Sequence, residues 1–381
     1  MICQPDGNAL AGNIEPQQCR TAMRDRRLFV GVVAVLAGLL PSATRAAEVQ
    51  NSEELAAALT TARGAQTITL ANGFYGDLTI AQNYASIVTI RAAAEHGASF
   101  GALKITGSNV TVDGLSINGR LTVSNAHDVE VTNSFSSAWS EVLYSTGVSV
   151  TDSEFTAGLS IEESTGFHIS GNYIHEVAGD LMRVIGNSSG GIIENNVLWD
   201  MIPKRFSDGT YIHADALQMF STPRGTPHDV VIRGNLVYDD PTTGDTGNLW
   251  GQGIFLGGPT GGYRNITIEE NLVSTGSPHA ISLYIGPEGN IIRNNTVLGS
   301  GQINVNGAES SGVQIYGNVA RNIDARNGAV VGDNYIYTSV NDLFQTGNGE
   351  VWEGFMPRPG SAIDFGSGYG ALGRLAELRG R

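Results

Sequence analysis

From residue 67 onward the chain is written in short runs that alternate apolar and polar residues: TITL, DLTI, SIVTI, LKITG, VTVDGLSI, LTVSN and VEVTN. Alternation at period two turns one face of each run toward a core and the other toward solvent, the pattern of a half-buried strand. Ahead of them, Asn51-Ser-Glu-Glu54 followed by LAAALTTAR predicts one amphipathic helix over about 51–63, with Asn51 as N-cap and Glu54 three residues on. No helical periodicity interrupts the strands until the end of the chain.

A phrase recurs among these runs: VEVTNSF, FHISGNYI, IIENNVL, VVIRGNLV, ITIEENLV, IIRNNTVL and VQIYGNVA. Each is a strand-like run, an asparagine, then another apolar pair. The aligned asparagines are Asn133, Asn172, Asn196, Asn235, Asn271, Asn295 and Asn318, with Asn334 as an eighth, and between Asn172 and Asn318 they stand near 20–24 residues apart where nothing is inserted. A coil of that length with three short strands is the unit of a parallel β-helix. Each asparagine is expected at a corner, in left-handed geometry, bonded to those above and below. A propeller or a sandwich would need longer repeats or no such ladder. The expected fold is therefore all-β, one right-handed parallel β-helix over about 65–345, with the helix covering strand edges that would otherwise aggregate.

Composition changes this picture in three ways. Fifty glycines, 15 % charged and 41 % apolar residues suit strands joined by tight turns. The segment MRDRRLFVGVVAVLAGLLPSATRA from Met23 has a basic start, an apolar run from Leu28 to Leu40 and small residues before Ala47. That is the layout of a secretory signal peptide cleaved after Ala46, the apolar run being short for a membrane span. Residues 1–22 read as an upstream mis-start, so 1–46 precede a single domain, 47–381. Both cysteines, Cys3 and Cys19, fall in 1–46, which leaves no disulfide and no thiolate metal site. Residues 1–46 also hold five basic and three acidic residues; without them 17 Lys+Arg face 34 Asp+Glu, a formal −17. So acidic a surface repels nucleic acid. A secreted or periplasmic monomer, free of the membrane after cleavage, is expected.

SEELAAALTTARGAQTITLANGFYGDLTI, the asparagine-cornered coils after it and the closing RPGSAIDFGSGYGALG resemble the right-handed parallel β-helix polysaccharide lyases of the pectin-lyase-like superfamily. The alginate and chondroitin lyase group is nearest, and the resemblance covers most of 47–370. It implies a secreted enzyme acting on an acidic polysaccharide such as alginate, although hydrolases, epimerases and phage adhesins share the fold.

From Asn172 onward two asparagine spacings are long, 39 residues from Asn196 to Asn235 and 36 from Asn235 to Asn271. The extra residues are WDMIPKRFSDGTYIH, STPRGTPHD and YDDPTTGDTGNLW. The first and third are expected to wall the strand between them, at 199–212 and 238–250, and loops on a rigid scaffold are where binding residues gather. Aligning GDLMRVIG, ADALQMFS, GQGIFLGG, PHAISLYI and GQINVNGA puts Met182/Leu217/Ile254/Ile281/Ile303 and Val184/Met219/Leu256/Leu283/Val305 inward. Outward lie Arg183/Gln218/Phe255/Ser282/Asn304 and Ile185/Phe220/Gly257/Tyr284/Asn306. A third outward column, Leu181/Ala216/Gly253/Ala280, is mostly small and is expected to leave room for a substrate. Asp180 and Asp215 either cap the corner from inside, accepting backbone N–H bonds, or face the cleft if the strand begins at Ala216.

A uronate lyase must neutralise the substrate carboxylate, take the C5 proton and protonate the leaving oxygen. Arg183 and Gln218 suit the first task. His213 suits the second, its ordinary pKa lying near operating pH. Tyr211, Tyr284 or His279 would serve the third. Lys204 and Arg205 would attract a polyanion, and Trp250 and Phe255 would stack on sugar rings, with His279 and Asn304 as further contacts. The resembled group carries a catalytic Lys and Arg on this face, whereas these columns hold Arg183 and no lysine. Two alternatives stay open: a glycoside hydrolase using Asp180 and Asp215, about 5 Å apart on adjacent coils, and a glycan-binding protein without catalysis. Calcium held by carboxylates also stays open, with no ligand spacing to mark a site.

Overall fold

The computed structural model describes residues 48–202, 206–210, 214–239, 251–257, 262–299, 301–344, 357–364 and 368–371. The expected signal segment lies outside them. Three strands per coil build three long sheets, of 12, 12 and 11 strands among the described residues, each strand bonded to its counterparts in the coils before and after. Pairing is parallel and in step, as Gln66–Leu70 on Val88–Ala92 and Met182–Ile185 on Leu217–Phe220 show. The fold is a parallel β-helix, and parallel crossovers of L-amino-acid chains are right-handed in nearly all cases.

The helix forms at Ser52–Thr61, capped as its sequence requires. Asn51 Oδ1 accepts the Glu54 N–H at 3.0 Å, while the Glu54 carboxylate reaches back to Gln50 N–H at 2.8 Å. Leu55 and Leu59 are buried, and the Tyr84 hydroxyl donates to Leu59 O at 2.9 Å, tying the helix to the first coils. Strands continue from Gln66 to Ile336, so the solenoid spans the expected range.

The ladder holds the coils in register. Asn196 N–H and its Nδ2 both donate to Asn235 Oδ1, at 3.0 and 2.9 Å, and Asn235 repeats this on Asn271. The pattern runs on through Asn295 and Asn318 to Asn334. It differs from expectation in two respects. Asn133 is not a rung: Ser134 and Ser153 stand there, Ser134 N–H donating to Ser153 Oγ and Ser153 N–H to Asn172 Oδ1. A rung needs only a buried acceptor pointing along the axis, which a serine hydroxyl supplies as well as an amide. Nor are the rungs left-handed. The residue before each rung from Ser134 to Asn318 is, including Asn133 at φ 48°, Asp152 at 47° and Asn195 at 56°. The sharp turn precedes the rung, and the rung asparagines from Asn172 to Asn318 are fully buried behind it.

Candidate functional site

The outward face of the third sheet is where the expected columns fall into line. Arg183 pairs with Gln218, Gln218 with Phe255, Phe255 with Ser282 and Ser282 with Asn304. Behind them Met182, Leu217, Ile254, Ile281 and Ile303 are fully buried, as are Val184, Met219, Leu256, Leu283 and Val305. Toward the N-terminus the column continues through Ser160, Glu141 and Thr122 to Lys104. A lysine thus stands four rungs from Arg183, beyond the five strands first aligned.

The small column is not a cleft. Leu181, Ala216 and Ala280 have no exposed surface, and a Cβ on Gly253 would meet Ala280 O at 2.1 Å and the Val273 side chain at 2.8 Å. Ala216, Gly253 and Ala280 are the second residues of their strands and Leu181 immediately precedes one, so beside the bend between the second and third sheets outward parity does not give exposure.

The same bend holds the two aspartates. The strand begins at Asp215, which is fully buried. Asp180 is 3 % exposed; its Oδ1 accepts the Asp215 N–H at 2.8 Å and its Oδ2 accepts from Arg183 Nε at 2.7 Å. Of the two placements open to it, Asp180 takes the corner cap, and it also orients the arginine. The Arg183 guanidinium lies 4.8 Å from the centre of the Trp139 ring and keeps 36 % of the side chain exposed. Trp139 reaches it by lying across Gly158, where a Cβ would fall 2.5 Å from the ring. Nothing in the sequence around Trp139 marks it, its own coil having no insertion; only the register, with Ser140 beside Leu159 and Leu159 beside Met182, brings it beneath Arg183.

Two and three coils on, three rings meet edge to face. Phe255 is 5.2 Å from Tyr284 and 6.2 Å from His279, and His279 is 6.4 Å from Tyr284. Phe255 folds over Gly257, whose absent Cβ would lie 2.2 Å from the ring. Burial pushes the Tyr284 hydroxyl above its ordinary pKa of 10, and the charge of Asp215 adds to the shift. His279 Nδ1 sits 3.3 Å from Ser282 Oγ. Asn304, expected to touch substrate, is 2 % exposed and donates to Pro278 O at 2.9 Å, so it braces the strand end that carries His279.

Tyr211, His213, Lys204, Arg205 and Trp250 lie outside the described residues, as does most of 238–250. Among the described residues no three His, Cys, Asp or Glu side chains cluster as metal ligands would.

A family model for the right-handed β-helix region matches residues 72–297. No curated protein matches the chain. Among solved structures, an alginate lyase from Paenibacillus is similar at 15 % identity and a TM-score of 0.48, over 76 % of this chain and 98 % of that one. A polysaccharide lyase of the PL6 family from Pseudopedobacter saltans aligns at 14 % identity and 0.46, over 76 % and 92 %. A surface adhesin of Streptococcus pneumoniae aligns equally well, at 13 % and 0.49, over 75 % and 87 %.

Proposed function

The chain belongs to the right-handed β-helix family, and from that premise we propose that it is a secreted lyase cleaving an acidic, uronate-containing polysaccharide by β-elimination. The family fixes the fold and leaves the chemistry to the site. The observation that carries the reading is Arg183 and Gln218 on adjacent rungs of one outward column, with Tyr284 two rungs beyond Gln218. Rungs are about 4.8 Å apart, so a polymer lying along the sheet meets one outward side chain per sugar, roughly.

In this reading Arg183, aimed by Asp180 and stacked on Trp139, binds the substrate carboxylate with Gln218 beside it. Charge and hydrogen bonds on that carboxylate make the C5 proton acidic. His213 takes the proton, the freed electron pair becomes the C4=C5 double bond, and the C4 oxygen departs with a proton from Tyr284. A phenol held above its ordinary pKa is protonated when required to donate. Phe255 offers a sugar ring an apolar face. Both oxygens of Asp180 are engaged, so elimination fits this arrangement better than a carboxylate nucleophile paired with Asp215.

A panel of sodium alginate, polygalacturonate and chondroitin sulfate separates the readings. Ultraviolet absorbance from unsaturated ends supports the lyase; new reducing ends without it favour a hydrolase, and retention without cleavage favours a binding protein. In the lyase case His213→Ala should lose roughly 10²–10⁴-fold in turnover. Full activity of that variant, with Asp180→Asn and Asp215→Asn inactive yet folded, would replace elimination by hydrolysis.

A further inference from the structure

The turn Ser221–Thr226 follows the strand that carries Gln218, and none of the chemistry above uses it. Thr222 and Gly225 pair across it, Thr222 N–H donating to Gly225 O at 2.9 Å and Gly225 N–H to Thr222 O at 3.1 Å. Pro223 and Arg224 are its exposed tip. Proline at the first tip position holds the φ such a turn needs.

The turn folds back over earlier coils. Thr222 Oγ1 donates to Glu163 Oε1 at 3.1 Å, and Glu163 Oε2 accepts the Asn187 N–H at 3.1 Å. The Arg224 guanidinium lies 5.2 Å from the centre of the Tyr144 ring, three rungs before the turn's own coil. Tyr144 is 43 % exposed and sits at φ 49°, a region that bulky side chains avoid. An open cavity of 390 Å³ is lined by Ser221, Thr222, Pro223, Arg224, Gly225 and Thr226.

We propose that this turn is the trailing rim of the polysaccharide groove, and that Arg224 is a second cationic contact for the acidic chain, positioned by Tyr144 and Glu163. The inference rests on the function proposed above and extends it to a site of its own. Ser221 lies three residues past Gln218, about 10 Å along a strand, so the rim flanks the Arg183 column. A guanidinium laid on an aromatic face keeps its charge and loses its wandering, which favours contact with an anion. Glu163 is occupied by Thr222 and Asn187, and Glu162 at the strand end before it is acidic. On a chain of formal charge −15 that edge would repel a polyanion without an arginine over it.

The test is electrophoresis of the folded full-length protein through gels holding sodium alginate, polygalacturonate or chondroitin sulfate, with dextran as the neutral control. Wild type should be retarded by at least one acidic polymer and not by dextran. Arg224→Gln should weaken that affinity about five-fold at low salt, Arg224→Lys should keep most of it, and the gap should close near 1 M salt. Near-ultraviolet circular dichroism confirms that both variants keep the native fold. Wild-type retardation matched by Arg224→Gln overturns the rim and leaves the proposed function standing. Absence of retardation of wild type in all three acidic polymers overturns both.

Discussion

The first and third sheets rest on the same kind of apolar interior, yet their outward faces are built differently. On the first sheet one column runs Arg91, Asp113, Thr132, Thr151, Ser170, Glu194, Arg233, Glu269, Arg293. Acid meets base one rung away: Arg91 on Asp113 at 2.6 Å, Arg233 on Glu194 at 2.7 Å, Arg293 on Glu269 at 2.5 Å. On the third sheet the rungs beside Arg183 hold Ser160 and Gln218, and its acid, Asp180, sits at the strand end instead. The first face answers its own charges along the axis of the solenoid. Around Arg183 the third leaves that direction to whatever lies on it, while nearer the N-terminus Glu141 is answered by Arg120 one rung away at 3.1 Å. Matched columns mark a wall, and a cation flanked by neutral hydrogen-bonding groups and aromatic rings marks a bench.

The contrast breaks most visibly at Tyr284. Tyr284→Phe removes the proposed acid and keeps the ring packing with Phe255 and His279, so turnover should fall by about 10²-fold or more with little change in melting temperature. Because the hydroxyl is held above 10, the alkaline limb of the wild-type rate profile that it governs should lie above pH 10. Turnover within three-fold of wild type in Tyr284→Phe would remove it from the chemistry. Arg233→Ala on the first sheet should leave turnover alone.

A rung substitution should instead strike both faces together. Asn235→Ala removes the acceptor of Asn196 N–H and Nδ2, two buried donors, and the donor to Ile193 O at 3.0 Å. Each orphaned group costs about 1–3 kcal/mol, so chemical denaturation should show a loss of several kcal/mol. A loss under about 1 kcal/mol would mean that the ladder follows the stacking of the coils and does not enforce it.

The sequence carried most of this. Inward columns were legible because Val, Ile and Leu alternate strictly at 182–184, 217–219 and 254–256, and the rungs because asparagine repeats. What misled was position near bends. Asn133 is one residue early, since asparagine also suits the left-handed turn before a rung. Leu181, Ala216, Gly253 and Ala280 have outward parity but stand beside the bend, where parity does not give exposure. Asp215, read with two placements, is settled by the strand's first residue. Trp139 and Tyr144 were invisible because their neighbours come from coils 20 to 80 residues away, and only the register shows which coils those are. STPRGTPHD stood out as an insertion, without a sign of which way it folds.

The smallest expected effect belongs to the first face and serves as its control. Burial opposes ionisation of Glu194, but hydrogen bonds from His168 and Arg233, with their charges, prevail and hold its pKa below 4.5. His168 Nε2 is 2.8 Å from Oε1, and Arg233 Nε donates to Oε2 at 2.7 Å. A carboxyl whose pKa is lower folded than unfolded stabilises the fold above its unfolded pKa and loses that stabilisation as pH falls through the folded value. Wild type should therefore exceed Glu194→Gln in melting temperature at pH 6, and the gap should narrow as pH drops below 4.5. The Arg233 side chain is 45 % exposed, so solvent screening keeps the gap at pH 6 to about 1 kcal/mol or less. Retardation by acidic polymers should match wild type at every pH tested above that range. If Glu194→Gln instead alters polymer affinity as much as Arg224→Gln does, the first face is a second bench, and pairing along a column does not distinguish wall from groove.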